Sequence, residues 1–490
     1  MPDTIKQLEK ESRKLEPSPQ ERNKIRKKVI AYTEDFLNEI YDRKAFIISK
    51  QKGSGIYKSP ISENPIEIEK ALKLVEKNVD TPNLNPASGG HLGYIPGGGI
   101  YISSLADYMV DVTNRFAGIF FANPGAVRME NMLIRWMCDL VKYPKTAGGN
   151  LASGGSVANL IAITTARDAK KIKSKNYHKV VVYLSKHTHH CIDKALRIAG
   201  LGDCVKRYIP LDEKFRMIPE EIEKAVKSDK KKGLLPWLVI GSAGTTDIGA
   251  IDPLIEIGKI AAKNNLWYHI DAAYGGFFIL SETGKKKLKG MNLSDSLVID
   301  PHKGLFLPYG LGVVLVKNVK LLADSHYYQA NYMQDALSAN DELSPADLSA
   351  ELTKHFRGMR LWLPLKIHGL KPFRAALEEK LQLAKYFYEK IGAMKGFETG
   401  PEPELSVVTF RYVPAKGNPN KFNELLLKEI HKDGRVFLTS TIINGKFIIR
   451  LALLAFRTHL ETIDLALKIL EQKSGYILKK QKEFNYRIKN

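Results

Sequence analysis

Two apolar runs in this 490-residue chain end in groups that could do chemistry. The first, residues 266–270, ends in Asp271 and continues through Ala272, Ala273 and Tyr274; the second, residues 297–299, ends in Asp300-Pro301-His302-Lys303. A carboxylate at the end of a buried strand is costly unless a cation meets it. Taken alone, Asp271 reads as a turn former and Lys303 as a salt-bridge partner. Together, at the ends of successive strands, they allow more. A lysine amine can hold an aldehyde cofactor as a Schiff base, and a carboxylate can keep a pyridine nitrogen protonated so that the ring accepts electrons. Those are the two demands of pyridoxal 5′-phosphate (PLP) chemistry.

Three further segments fit that reading. Ser153-Gly154-Gly155-Ser156 leads into the helical pattern Leu160, Ile161, Thr164, with Ser156 as the expected N-cap. The open N–H groups of such a helix start suit a phosphate dianion, although Gly/Ser-rich helix starts are common and this one gains its weight from the other motifs. After the run at residues 180–184, His187, His189, His190 and Cys191 crowd one short segment. Zinc is the alternative use of imidazole and thiolate, but no second cluster supplies the remaining ligands, so no metal is expected. An imidazole stacked on the pyridine ring is the better use. Gly244-Thr245-Thr246-Asp247 makes another strand-end turn that brings Thr246 near the ring.

These groups need a sheet to hold them. Apolar runs at residues 180–184, 237–240, 266–270, 297–299 and 312–316 alternate with helix-length segments, which predicts a mostly parallel sheet covered on both faces. Ligands collect where such strands end. Beyond residue 375 the pattern changes to a helix at 372–391, strands at 407–412 and 447–453, and a closing helix with a capping box from Thr458 and Glu461. Residues 21–45 carry Ile25, Val29, Phe36, Leu37 and Ile40 at helical spacing, predicting an amphipathic helix that starts near Pro19 and needs a partner surface. Residues 82–99 are rich in Gly and Pro and mark a boundary. The expected division is an N-terminal helical and dimerisation segment, 1–97, a large cofactor-binding domain, 98–375, and a small α+β domain, 376–490.

Composition excludes several classes. With 44% hydrophobic residues and no apolar run of roughly 18 residues, the chain should be a soluble globular protein without a membrane partner. The first 28 residues are charged and polar, unlike a secretory signal, and Cys138, Cys191 and Cys204 lack CxxC spacing. A reducing cytoplasm is the expected location. The net charge of +22 raises nucleic-acid binding, but the lysines are spread along the chain among Glu and Asp, so a solvated surface is the plainer reading and no nucleic acid is expected.

The combination His269-Ile270-Asp271-Ala272-Ala273-Tyr274, Asp300-Pro301-His302-Lys303 and Gly244-Thr245-Thr246 resembles the group II PLP-dependent amino-acid decarboxylases, over residues 85–464. The resemblance implies an aspartate-aminotransferase-like (type I) α/β fold, a homodimer, and decarboxylation of an L-amino acid. By position, Lys303 matches the Schiff-base lysine, Asp271 the pyridine-nitrogen partner and His189 the ring-stacking histidine. Ala273 and Thr246 match residues beside the ring, while Gly155, Ser156, His302 and Asp300 match phosphate-side positions. Animal members carry Asn where this chain has Asp300; a carboxylate would repel the phosphate, so Asp300 should point away or be offset by a cation. Tyr94 and Pro96, in Tyr94-Ile95-Pro96, resemble the substrate-pocket segment of the aromatic decarboxylases. Tyr332 matches the proton-donating tyrosine of a mobile loop, with Tyr327 and Tyr328 near enough to compete and His189 as the other candidate donor. The resemblance favours an aromatic substrate such as tryptophan or tyrosine. The alternatives are an acidic substrate, another type I PLP lyase, an aldehyde synthase, or a non-catalytic nucleic-acid binder.

Overall fold

The computed structural model describes residues 1–327 and 342–489, with side chains in the last helix described as far as residue 480. A short hairpin comes first, β1 (Phe46–Ile47) against β2 (Asn83–Leu84). The central sheet follows: β3 (Gly148–Ala152), β4 (Val180–Leu184), β5 (Val205–Tyr208), β6 (Leu235–Ser242), β7 (Trp267–Asp271), β8 (Ser296–Ile299) and β9 (Gly312–Val316). Their order is β3-β9-β8-β7-β6-β4-β5. Strands β5, β4, β6, β7 and β8 run parallel, and only β9 is antiparallel to its two neighbours, β3 and β8. This is the mostly parallel α/β sheet expected.

Its strands read as continuous apolar runs because both faces are covered. Along β4, Val180, Val182 and Leu184 face Ala158, Ile161 and Ala162 of the helix Gly155–Ala169. Val181 and Tyr183 face the opposite way, into the cluster that holds Leu254 and Ile257 of the helix Leu254–Asn264. Each such side chain contributes about 1.5–3 kcal/mol by leaving water. The third apolar cluster belongs to the C-terminal antiparallel sheet, β10 (Phe397–Thr399), β11 (Val407–Tyr412), β12 (Thr439–Ile443) and β13 (Lys446–Ala452), packed on the helices Lys371–Ala393, Pro419–Asp433 and Leu460–Lys489.

The N-terminal arm is built differently. The helix Pro19–Asn38 starts on a capping box, with Ser18 Oγ accepting from Glu21 N–H and Glu21 accepting from Ser18 N–H. It stops short of residue 45 because Ala45 is drawn into the interior and Phe46 pairs with Leu84. The helices Pro2–Ser12, Pro19–Asn38 and Ile68–Val75 contain no buried residue.

The capping box expected from Thr458 and Glu461 does not form. The Thr458 hydroxyl donates instead to the Gly89 carbonyl at 2.6 Å, fastening the 82–99 segment to the start of the last helix.

Candidate active site

Because β3 to β8 all point the same way, their carboxyl ends share one edge of the sheet, and a cleft of about 290 Å³ opens there. Lys303, Asp271, His189, Gly155, Ser156, Thr246, Ala273, His302 and Asp300 all line it. Tyr94 and Pro96 do not. Tyr94 is exposed, has a positive φ of 50° and packs against the Phe437 ring at 5.8 Å, while Pro96 is buried. Tyr332 and Tyr328 lie outside the described residues, and Tyr327 is half exposed at the end of the helix Val319–His326.

Lys303 sits on one turn of helix, Pro301–Gly304, that Pro301 starts immediately after β8. Its Nζ lies 3.0 Å from Asp300 Oδ2. Burial opposes the lysine's charge, but the carboxylates of Asp300 and Asp271 outweigh it and raise the pKa above the ordinary lysine value. Asp300, 1% exposed, therefore points into the cleft and is offset by Lys303. It fits there because its neighbours lack side chains. A Cβ on Gly155 would come within 2.8 Å of Asp300 Oδ2, and one on Gly312 within 2.6 Å of Asp300 Oδ1.

Asp271 ends β7. Its Oδ1 accepts from Ala273 N–H at 3.1 Å and its Oδ2 from Asn159 Nδ2 at 3.4 Å. His189 Nδ1 accepts from Cys191 N–H at 3.3 Å, and burial lowers this imidazole's pKa although Asp271 opposes the shift. His302 Nδ1 meets the Leu311 carbonyl at 2.5 Å, with Nε2 3.7 Å from Asp300 Oδ2; burial lowers its pKa too. The carbonyls of Thr246 and Asp247 both accept from Arg450, which reaches across from β13.

Gly154, not Ser156, occupies the N-cap of the helix Gly155–Ala169, and no side chain caps it. Ser156 lies inside the first turn, so its hydroxyl is spared for the cleft. Val157 and Ala158 N–H donate to the Gly154 carbonyl, while among the described residues the N–H groups of Gly155 and Ser156 find no acceptor. Open donors at a helix start, beside two serine hydroxyls, suit a phosphate group. A lysine and a carboxylate in the same cleft suit an aldehyde and a protonated ring nitrogen. The residues present fit PLP.

Asn159 is the cleft residue that sequence reasoning left without a role. It lies three positions beyond Ser156, hence on the same face of the helix, and that spacing was the available signal. Among the described residues, no three His, Cys, Asp or Glu converge as metal ligands.

The profile of the pyridoxal-dependent decarboxylase conserved domain matches residues 65–413. The aromatic-L-amino-acid decarboxylase of Bacillus atrophaeus is 34% identical, with 82% of this chain and 84% of that protein covered. The phenylacetaldehyde synthase of Petunia hybrida is 29% identical, with 86% of this chain and 87% of that protein covered. A solved structure of Oryza sativa TDC with PLP and tryptamine superposes with a TM-score of 0.88 at 20% identity, covering 94% of this chain and 99% of that one, and so shares the fold. Sequence, fold and cleft agree: this chain belongs to the pyridoxal-dependent decarboxylase family.

Proposed function

We propose that Lys303 holds the cofactor and that the protein converts an aromatic L-amino acid to its amine and CO2. The observation that carries this reading is the cleft itself, in which Lys303, Asp271 and the open donors of Gly155 and Ser156 line a single cavity. PLP, when bound, supplies the electron sink for the pair released as the Cα–carboxylate bond breaks. Asp271 keeps a proton on the ring nitrogen. The N–H groups of Gly155 and Ser156, the Ser156 hydroxyl and His302 bind the phosphate. His189 stacks on one ring face, and Ala273 and Thr246 bound the ring. Asp300 accepts the ammonium of Lys303 whenever the lysine is free. Tyr332 delivers the proton that replaces the carboxylate at Cα.

The aromatic substrate is supported by the name of the Bacillus relative. The Petunia relative makes an aldehyde synthase the second reading. A homodimer is supported by the arm, whose Ile5, Leu8, Ile25 and Ile30 are exposed, and by Tyr108, Met109 and Val112 on the helix Tyr101–Thr113. We assign the arm and the loop after it, residues 1–97, to that interface, residues 98–375 to the cofactor domain and 376–490 to the small domain. A reducing cytoplasm suits three cysteines that are all free and buried.

The test is amine formation across the twenty L-amino acids and dihydroxyphenylalanine, with oxygen uptake followed in parallel. The expected result is an aromatic amine without oxygen consumption. Amine from an acidic amino acid alone would overturn the substrate class, and aldehyde with oxygen consumption would overturn the reaction.

A further inference from the structure

A chain of hydrogen bonds reaches Asp271 from deep inside the sheet. Trp267 Nε1–H donates to Ser296 Oγ at 2.9 Å, Ser296 Oγ lies 2.8 Å from His269 Nδ1, His269 Nε2 lies 2.8 Å from Asn159 Oδ1, and Asn159 Nδ2 donates to Asp271 Oδ2. All five side chains are less than a tenth exposed, and Trp267, His269 and Ser296 line no part of the cleft.

The carboxylate end of this chain fixes its middle. An indole N–H can only donate, so Ser296 Oγ accepts from Trp267, which leaves its own hydroxyl hydrogen free to go to His269 Nδ1. A carboxylate can only accept, so Asn159 turns its amide nitrogen to Asp271; the flipped amide would set oxygen against oxygen. Asn159 Oδ1 then faces His269 Nε2, which must carry the proton. The carboxylate end thus selects the Nε2–H form, and because a neutral imidazole carries one proton, Nδ1 is bare and takes the Ser296 hydroxyl hydrogen. The imidazole's burial agrees, lowering the pKa to about 4. The chain ends on the Asp271 carboxylate, which can only accept, so its polarity is set at the group that faces the cleft.

We propose that His269 is a positioning residue for the reaction. Held as the Nε2–H tautomer, with Ser296 at its other nitrogen, it turns the Asn159 amide so that an N–H steers the Asp271 carboxylate onto the cofactor's ring nitrogen. This rests on the role given to Asp271 above.

The experiment has two arms. In wild-type apoprotein, ¹⁵N resonances of His269, assigned by difference from His269→Gln, should show a protonated Nε2 and a bare Nδ1 at neutral pH. A protonated Nδ1 would overturn the proposal. In the second arm, His269→Leu should weaken PLP binding and lower kcat by about tenfold to a hundredfold, as loss of the outer partner of a ligating group does, with KM little changed. His269→Gln, whose amide can still donate to Asn159, should recover most of the loss. If folded His269→Leu keeps PLP affinity and kcat within about twofold, or His269→Gln fails as badly as Leu while melting like wild type, the chain merely fills the core and the proposal is wrong. Asp271→Ala separates the two readings: unchanged PLP affinity in that variant would sink the role of Asp271, whereas the tautomer in apoprotein judges the chain without it.

Discussion

The carboxyl edge of the central sheet and the N-terminal arm are opposite ways of using one chain. At the sheet edge, Asp271, Asp300, His189 and Lys303 are held by partners from the same chain. In the arm, three helices bury nothing, and apolar side chains such as Ile25 and Ile30 stand 41% and 45% exposed. Helices in water gain most of their stability from packing an apolar face. Among the described residues, these four side chains of the cleft find partners within one copy, whereas the arm leaves apolar side chains exposed.

The largest effects should come from the sheet edge. Lys303→Ala should cost more than about a thousandfold in kcat, the scale of losing a group that bonds covalently in catalysis, and Asp271→Ala should lose both activity and PLP affinity. Stopped turnover with intact melting would show that the site is preformed independently of its chemistry; a collapse of the fold on either change would break the comparison.

A change of product comes next. Tyr332→Phe deletes one hydroxyl, so PLP and substrate binding should persist while amine formation falls and oxygen-dependent aldehyde and ammonia appear. Product analysis with and without oxygen, beside Tyr327→Phe and Tyr328→Phe, checks it. The switch appearing in a neighbour while Tyr332→Phe still makes amine would move the proton donor to that neighbour.

Deleting residues 1–45 should convert a dimer to a monomer by sedimentation and leave the central sheet folded. A dimer of unchanged stability after the deletion would mean that the arm's exposed face has another purpose.

The smallest expected effect is a pH dependence within the core. His269 and His91, 1% exposed each, are held neutral by burial, with pKa values lowered to about 4. Unfolded histidine titrates near 6.5, so below that pH the unfolded chain binds the extra protons and stability falls with falling pH. Each should cost about 3 kcal/mol between pH 6.5 and 4. Melting temperatures across that range check it, with His91→Phe flattening the curve. No change in slope would contradict the burial of a neutral His91.

The sequence was most legible where both faces of a strand are covered. Strands β4 and β9 were placed to the residue, and the ends of β7 and β8 picked out Asp271 and Lys303, because period and burial coincide there. Strands β3 and β5 were missed for opposite reasons. Gly148-Gly149-Asn150 carries almost no apolar signal although it is sheltered, and Val205–Tyr208 is a half-exposed edge strand whose Lys206 and Arg207 read as loop. The Ser156 cap and the Thr458 box failed because a cap is a local rule that a distant partner can override. Gly154 already takes the N-cap position two residues before Ser156, and Gly89, far away in sequence, takes the Thr458 hydroxyl. Asn159 was hidden because its purpose depends on His269 and Asp271 meeting it in space.

Borohydride reduction of the PLP-loaded protein, followed by peptide mapping, tests the central claim most directly, since it fixes the cofactor to whichever lysine holds it. The label should appear on the peptide containing Lys303, and be absent from Lys303→Ala. A label recovered on any other lysine of the wild-type protein would contradict the assignment of this cleft as the catalytic centre.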